Sequence, residues 1–293
     1  MMAAKLFIDK LVIVGVGLIG GSFALALKEA GAVREVVGVG RTRKNLRVAL
    51  QKGVVDGIET DLGRAVAGAD MVLVGAPVGQ MPGIFRALAE VIDERTIVTD
   101  AGSTKQDVIA AAKRHLGRHF DRFVPAHPIA GTEHSGAGAA FPSLFRERNL
   151  ILVDQPKART AAVRRVRAAW KACGANIVRM APSEHDAIFG AVSHLPHVLA
   201  FALVSMLAKR PSARRMLGFS GGGLRDTVRI AGSSPEMWRD ICVANRKALL
   251  PLLDAYQREL AAARRALARA DGDRLEQMFT QARDARGRWL VRR

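Results

Sequence analysis

Apolar residues follow two different rhythms along the chain. Up to about residue 180, short runs rich in Val, Ile and Leu recur at Leu11–Val14, Val36–Val39, Met71–Val74, Thr96–Thr99 and Leu150–Val153. Between them lie stretches with apolar positions at three- and four-residue steps: Leu18–Glu29, Val78–Val91, Lys105–His115 and Arg159–Ala172. Strands alternating with helices predict a parallel sheet covered by helices on both faces, an α/β architecture. Asn176–Arg179 is the last strand expected, and beyond Pro182 the rhythm changes.

From Ser183 onward nearly every long segment has the helical period. Ser234-Pro235-Glu236 reads as a helix start, with a capping hydroxyl, a proline at the first helical position and an acid in the first turn. Leu249, Leu252, Leu253, Tyr256, Leu260, Ala263 and Leu267 then form one apolar stripe that needs a partner surface, and Pro251 is expected to kink that helix. The division predicted is a nucleotide-fold domain over 1–180 and an all-helical domain over 181–293.

With 293 residues and 49% apolar composition, the chain can bury a core in each part. No run of about 20 consecutive apolar residues stands out as a membrane span, and Met1–Lys10 lacks the features of a signal peptide. A soluble, cytoplasmic protein is the expectation. Cys173 and Cys242 form no CxxC pair, so they read as reduced thiols rather than as a disulfide or zinc site. The 45 basic and 27 acidic residues leave a net charge of +18, which suits an anionic partner. Much of that charge lies on helical segments such as Arg159–Arg167 and Arg258–Arg274, where arginine on a solvated face explains it. With only 5% aromatic residues and no recognisable nucleic-acid motif, nucleic acid is not the expected partner.

Chemistry enters at Gly15, Gly17 and Gly20, spaced GxGxxG directly after the first strand and at the start of the first helix. In that context the first glycine permits a tight turn, the second lets backbone approach a pyrophosphate and the third allows close helix packing. The amides of Leu18, Ile19 and Gly20 open the helix and supply donors for an anion. About twenty residues on, Gly40 stands where an acid for the ribose hydroxyls is usual, followed by Arg41, Thr42 and Arg43. Two cations and no carboxylate favour a 2′-phosphate, so NADP is the preferred cofactor, with NAD open if the arginines belong to a solvated turn.

Three further stretches concentrate reactive residues: TDAGSTK from Thr99, HPIAGTEHSG from His127, and SHLPH from Ser193 with GGGLRDTVRIAGSSPEMWRD from Gly221. Together with the glycine motif they make the chain resemble the prephenate/arogenate dehydrogenase family over nearly its whole length. The resemblance implies a Rossmann-type N-terminal domain and a C-terminal helical domain that forms a homodimer. It further implies oxidative decarboxylation of prephenate or arogenate on the way to tyrosine. His127 is similar to the family's catalytic histidine, a neutral imidazole able to accept the substrate hydroxyl proton. Ser103 resembles the serine beside that hydroxyl and the cofactor, with helix capping as its other reading. Arg229 matches the family's carboxylate-binding arginine, Glu133 an acid that orders the substrate site, His197 and His194 histidines lining it, and Trp238 an aromatic near the site from the same or the partner subunit.

His194 and His197 share a helix face, yet no third ligand suggests a metal, and structural roles stay open for His194 and Trp238. His134 is expected near the ring carboxylate or a selectivity contact. Two rivals remain. A β-hydroxyacid dehydrogenase would need a lysine in the second domain, and a regulatory nucleotide fold would bind polynucleotide without turnover.

Overall fold

A computed structural model of the protein describes residues 7–132 and 134–291. Six parallel strands form the main sheet: β1 (Ile8–Val14), β2 (Val33–Val39), β3 (Gly57–Glu59), β4 (Met71–Val74), β5 (Ile97–Asp100) and β6 (Phe123–Val124), in the order β3-β2-β1-β4-β5-β6. Connecting them are α1 (Leu18–Glu29), α2 (Arg43–Gln51), α3 (Leu62–Val66), α4 (Met81–Ala89) and α5 (Gln106–His115). The order reverses between β1 and β4, the switch point where ligands bind in such sheets. Register places Val14 opposite both Val39 and Val74, and Val74 opposite Asp100. The loops after β1, β2, β4 and β5 therefore all open at one edge.

Alternation within each strand explains why both faces are covered. Leu11 and Ile13 of β1, with Met71 and Leu73 of β4, pack into a core that includes Phe23, Phe145 and Trp170. The intervening Val12, Val14, Val72 and Val74 face a second core with Phe85, Leu88 and Phe123. Period-two side-chain alternation in strands apolar at every position demands such a double cover.

Two expectations from the pattern are corrected. Leu150–Val153 and Asn176–Arg179 do not extend the main sheet. They belong to β8 (Asn149–Val153) and β9 (Asn176–Met180), which with β7 (Ala126–Pro128) make a separate three-stranded sheet. Here β7 and β8 are antiparallel, while β8 and β9 are parallel and joined by α6 (Thr160–Ala172). Only Pro125 separates β6 from β7, so the chain leaves the first sheet within a residue, too local a change for periodicity to reveal. Val78–Val91 is likewise not one helix: a 3₁₀ turn at Val78–Gln80 precedes α4, whose first turn holds Pro82.

The helical part comprises α7 (Pro182–Phe189), a π turn (Gly190–His194), α8 (Leu195–Ala208), α9 (Ala213–Gly218), α10 (Gly222–Val228), a 3₁₀ turn (Arg229–Gly232), α11 (Pro235–Ala244), α12 (Arg246–Ala268) and α13 (Gly272–Val291). Ser234 caps α11 by accepting the Met237 amide at 3.4 Å, and α12 runs through Pro251. Among the described residues, Pro182–Ala208 is long and apolar enough to cross a membrane by length and composition, with a mean hydropathy of 1.8 over its best window. This corrects the expectation that no such segment exists. Ser193, His194 and His197 interrupt the apolar run without adding formal charge, and 22% of the window is buried.

By internal contact the chain forms two compact units, Met1–Arg246 and Lys247–Arg293. The first contains both sheets and α1–α11, with Trp238 and Ile241 of α11 packed into the second core. The change of rhythm near residue 180 falls inside it, between β9 and α7.

Candidate active site

The turn after β1 is built around backbone proximity. Gly15 has φ +96°, and a Cβ there would lie 2.8 Å from the Ala76 nitrogen, so only glycine fits. At Gly20 a Cβ would meet Ile13 at 2.7 Å and the Gly15 carbonyl at 2.8 Å, which fixes how closely α1 approaches the strand. Gly17 is the contrast, with nothing within 4 Å of its Cβ position. It is the N-cap of α1 and offers no capping side chain, so the helix start keeps amide donors and open space for an anion. These residues fit a dinucleotide pyrophosphate.

At the end of β2, Thr42 is the N-cap of α2 and Arg43 its first residue. Arg41 reaches across to α11, where its two terminal nitrogens lie 3.3 and 3.4 Å from the Glu236 carboxylate oxygens. Gln80 also donates to Glu236, at 3.2 Å. The guanidinium expected to hold a 2′-phosphate is thus shared with an acid from the helical part.

Beyond β5 the chain buries charge. Lys105 and Asp100 are fully buried and paired, and the carboxylate also accepts the Gly102 amide at 2.8 Å and the Ala126 amide at 3.2 Å. These bonds tie the TDAGSTK loop to β7. Ser103 lies between them, part-buried, with its backbone beside His194. It does not cap α5. That helix starts at Gln106, and Asp186 of α7 takes the cap's role, accepting the Lys105 and Gln106 amides at 2.8 and 2.9 Å.

His127 sits on β7 opposite Ile151, a strand position rather than a loop before Pro128. Its Nδ1 lies 2.8 Å from Nε2 of His185, whose Nδ1 lies 2.8 Å from Oδ1 of Asp186. Phe189 packs edge-on against His127, with ring centres 5.0 Å apart. Burial, then the neighbouring His185, Lys105 and His194, hold His127 well below the ordinary histidine range. His185 is lowered too, chiefly by burial, against the opposing pull of Asp186. For Asp186, burial raises the carboxyl but hydrogen bonds from His185, Gln106 and Lys105 outweigh it, and the net shift is downward.

The π turn carries His194 into the same region, a device frequent at functional sites. Burial brings His194 down to about 4. His197, one turn on, holds the Ser193 carbonyl at 2.9 Å through Nδ1 and stacks on Trp238 with ring centres 3.4 Å apart. It is lowered by burial first, and the Arg229 charge adds to that shift. His194 meets the edge of the same Trp238 ring at 6.1 Å.

The profile of the prephenate dehydrogenase nucleotide-binding domain matches residues 23–179, and that of the prephenate dehydrogenase dimerization domain matches residues 181–281. The chain belongs to the prephenate dehydrogenase family. A cyclohexadienyl dehydrogenase from Zymomonas mobilis is 36% identical over 281 residues, covering 94% of each chain. A prephenate dehydrogenase from Bacillus subtilis is 35% identical over 280 residues, covering 95% of this chain and 75% of its own. The crystal structure of prephenate dehydrogenase from Aquifex aeolicus in complex with hydroxyphenyl propionate and NAD+ superposes with a TM-score of 0.88 at 31% identity, over 97% of this chain and 99% of that one.

Within this member of the prephenate dehydrogenase family, His127, His194, His197, Trp238, Arg229 and the Ser103 backbone form one connected cluster. Arg41, Thr42 and Arg43 follow β2, and Arg41 is joined to Glu236 of α11, the helix that carries Trp238. Glu133 lies outside the described residues, and His134 is exposed, with its amide donating to Thr132 at 3.2 Å. Sequence reading missed His185, Asp186 and Asn245. Asn245 donates to the Asp186 carbonyl at 2.8 Å and contacts Nδ1 of His194 at 2.9 Å. The signal for the first two was present in the adjacent HD pair ahead of SHLPH. Nothing in periodicity pointed to Asn245.

Proposed function

We propose that this chain is a nicotinamide-dependent dehydrogenase that oxidises and decarboxylates prephenate to 4-hydroxyphenylpyruvate in tyrosine formation, with arogenate as the alternative substrate. The observation that carries this reading is His127, an imidazole held neutral in the cluster of a chain from this family. A neutral ring can accept the substrate hydroxyl proton, and its depressed pKa keeps it ready to do so near neutral pH. Bound at the β1 turn, the cofactor supplies the hydride acceptor.

As the hydroxyl carbon loses hydride, His127 takes the hydroxyl proton and a carbonyl forms. The bond to the ring carboxylate then breaks, and its electron pair moves through the ring onto the carbonyl oxygen. Carbon dioxide leaves, His127 returns its proton to the phenolate oxygen so formed, and aromatisation makes the step effectively irreversible. Ser103 hydrogen-bonds the same oxygen. Arg229 binds a carboxylate, supported by the electrostatic coupling of its cation to His197, which with Trp238 forms a wall for the substrate. His194 lines the site from behind. Glu133 and His134 are assigned to the substrate on the family resemblance of the HPIAGTEH segment.

For the cofactor, Gly40 with Arg41, Thr42 and Arg43 supports NADP, with a 2′-phosphate replacing Glu236 as the partner of Arg41. The Arg41–Glu236 pair itself favours a second reading, NAD, because the acid offsets the cation. A cytoplasmic homodimer through the C-terminal helices completes the proposal. It is supported by the dimerization profile over 181–281 and by exposed apolar residues such as Phe219, Leu260, Leu267 and Phe279.

The test is an initial-rate grid of prephenate and arogenate against NADP and NAD, followed by reduced-nicotinamide absorbance, with light scattering for mass. Turnover in any pairing supports the reaction, and its ratios assign substrate and cofactor. No turnover in any pairing by folded dimer would reject it.

A further inference from the structure

The chain His127, His185, Asp186 constrains where protons sit. Both carboxylate oxygens of Asp186 accept main-chain amides, Oδ1 from Lys105 and Oδ2 from Gln106. Main-chain amides can only donate, so the carboxylate is an acceptor on both oxygens, a state favoured at the start of α5 by the helix dipole. Nδ1 of His185, 2.8 Å from Oδ1, must then carry a hydrogen and donate it. A neutral His185 therefore has a bare Nε2, which can only accept. Its neighbour at 2.8 Å, Nδ1 of His127, must be the donor. The remaining nitrogen of His127, Nε2, is left without a hydrogen, and among the described residues it has no hydrogen-bond partner.

From this geometry we infer that His185 and Asp186 are positioning residues that lock His127 in the Nδ1–H tautomer, presenting a bare Nε2 as the proton acceptor. The inference rests on the assignment of His127 as the base above. It assigns a role in the reaction to two residues that touch no substrate. When His127 takes the hydroxyl proton on Nε2, the resulting imidazolium keeps its Nδ1–H bond to His185. The cation is then stabilised by His185 and, one ring further, by the ionised Asp186, without Asp186 needing to accept a proton. That cation is also opposed: burial disfavours it first, then His185 whenever that ring is itself charged, Lys105 at the start of α5 and His194 in the π turn, while Asp100 neutralises Lys105.

Substitution at 186 is the sharpest probe. In Asp186→Asn the single oxygen sits either at the Oδ1 position, accepting from the Lys105 amide and His185, or at the Oδ2 position, accepting from the Gln106 amide and turning the NH₂ toward both Lys105 N–H and His185. If it faces His185, that ring takes the opposite tautomer and drives His127 to Nε2–H. We expect kcat to fall by about 10²- to 10⁴-fold with little change in KM, the scale set by the wrong tautomer in other base–orienter pairs. His185→Leu should fall similarly, whereas His185→Gln, which offers a side-chain oxygen to Nδ1–H, should recover about tenfold or more of that loss.

The direct readout is the ¹⁵N spectrum of histidine-labelled protein, with the His127 resonances assigned by their loss in His127→Asn. The wild-type ring should show a protonated Nδ1 and bare Nε2, and Asp186→Asn the reverse. A wild-type His127 protonated at Nε2 would overturn the inference, as would Asp186→Asn with a reversed His127 tautomer and wild-type kcat. If Asp186→Asn fails to fold, the wild-type spectrum and the Leu–Gln contrast at 185 decide the matter alone. An inactive His127→Asn beside a fully active His185→Leu would reject the inference while leaving His127 as the base. An active His127→Asn would reject both.

Discussion

Asn245 lies with its side-chain nitrogen 2.9 Å from Nδ1 of His194 and 2.8 Å from the Asp186 carbonyl. The carbonyl fixes that atom as the NH₂ nitrogen, so Nδ1 of His194 accepts and its hydrogen sits on Nε2. His194 and His127 are therefore set in opposite tautomers, one a donor and the other an acceptor at Nε2, and Asp186 anchors both. Asn245→Leu should cost about 1–3 kcal/mol of stability, because it strands a buried ring nitrogen of His194, while the Asp186 carbonyl keeps the Gly190 amide. Urea unfolding measures this. A loss below about 0.5 kcal/mol would mean that water or a rearranged side chain replaces the amide.

His127→Asn should lower kcat by about 10²- to 10⁴-fold, the range for removing a general base. Cofactor affinity should stay close to wild type, since His127 is on β7 and the glycine turn follows β1. Single-turnover kinetics and nicotinamide fluorescence titration separate the two effects. Near-normal turnover would remove His127 from the chemistry.

Arg229→Gln should act mainly on substrate KM, raising it by about ten- to a hundredfold, the 1.4–2.8 kcal/mol expected of a charge-assisted carboxylate contact. The neighbouring His197 should titrate higher in the variant, because the Arg229 charge depresses it in the wild type. An unchanged KM would argue that the carboxylate is held elsewhere.

Arg41 and Glu236 should move cofactor selectivity in opposite directions. Arg41→Ala is expected to weaken NADP selectively, whereas Glu236→Gln, which frees the guanidinium, should strengthen NADP relative to NAD. A shift of about 1.5-fold to fivefold in the kcat/KM ratio corresponds to an exposed charge contact of this type. Equal effects on both cofactors would show that this pair does not read the ribose.

Acid should destabilise the fold earlier than carboxylate titration alone predicts. His127, His185 and His194 all have depressed folded pKa values, with His194 at about 4, so the native state keeps them neutral where the unfolded chain protonates them. Above an unfolded pKa near 6.5 the two states bind equal protons at these sites and no stability is lost. As pH falls below that value the unfolded state gains protons, and each such histidine removes up to about 1.4 kcal/mol per pH unit until its folded pKa is reached. Denaturation midpoints should be level from pH 8 to 7 and fall steeply from roughly 6.5 to 4.5. His194→Gln should flatten that slope, and a flat wild-type profile would show that these rings are not held neutral.

Much of this protein was written locally. Uninterrupted apolar runs marked β1, β2, β4 and β5, the Gly15–Gly17–Gly20 spacing marked the nucleotide turn, and Ser234-Pro235-Glu236 marked the start of α11, each because the deciding interaction lies within a few residues. Motif resemblance added His127, Ser103, Arg229 and the histidines of SHLPH. Left unreadable were the pairings between distant segments. Asp186 caps α5 from 81 residues away, and His185 meets His127 across 58. Arg41 finds Glu236 at a separation of 195 residues. A sequence pattern reports which face of an element is apolar, since burial follows period. It does not report which buried donor meets which acceptor, because that choice is made only when the sheets and helices close on one another. Tertiary structure therefore decided the placement of β7–β9, the pairing of Arg41 with Glu236 and the contacts of the His127–His185–Asp186 chain.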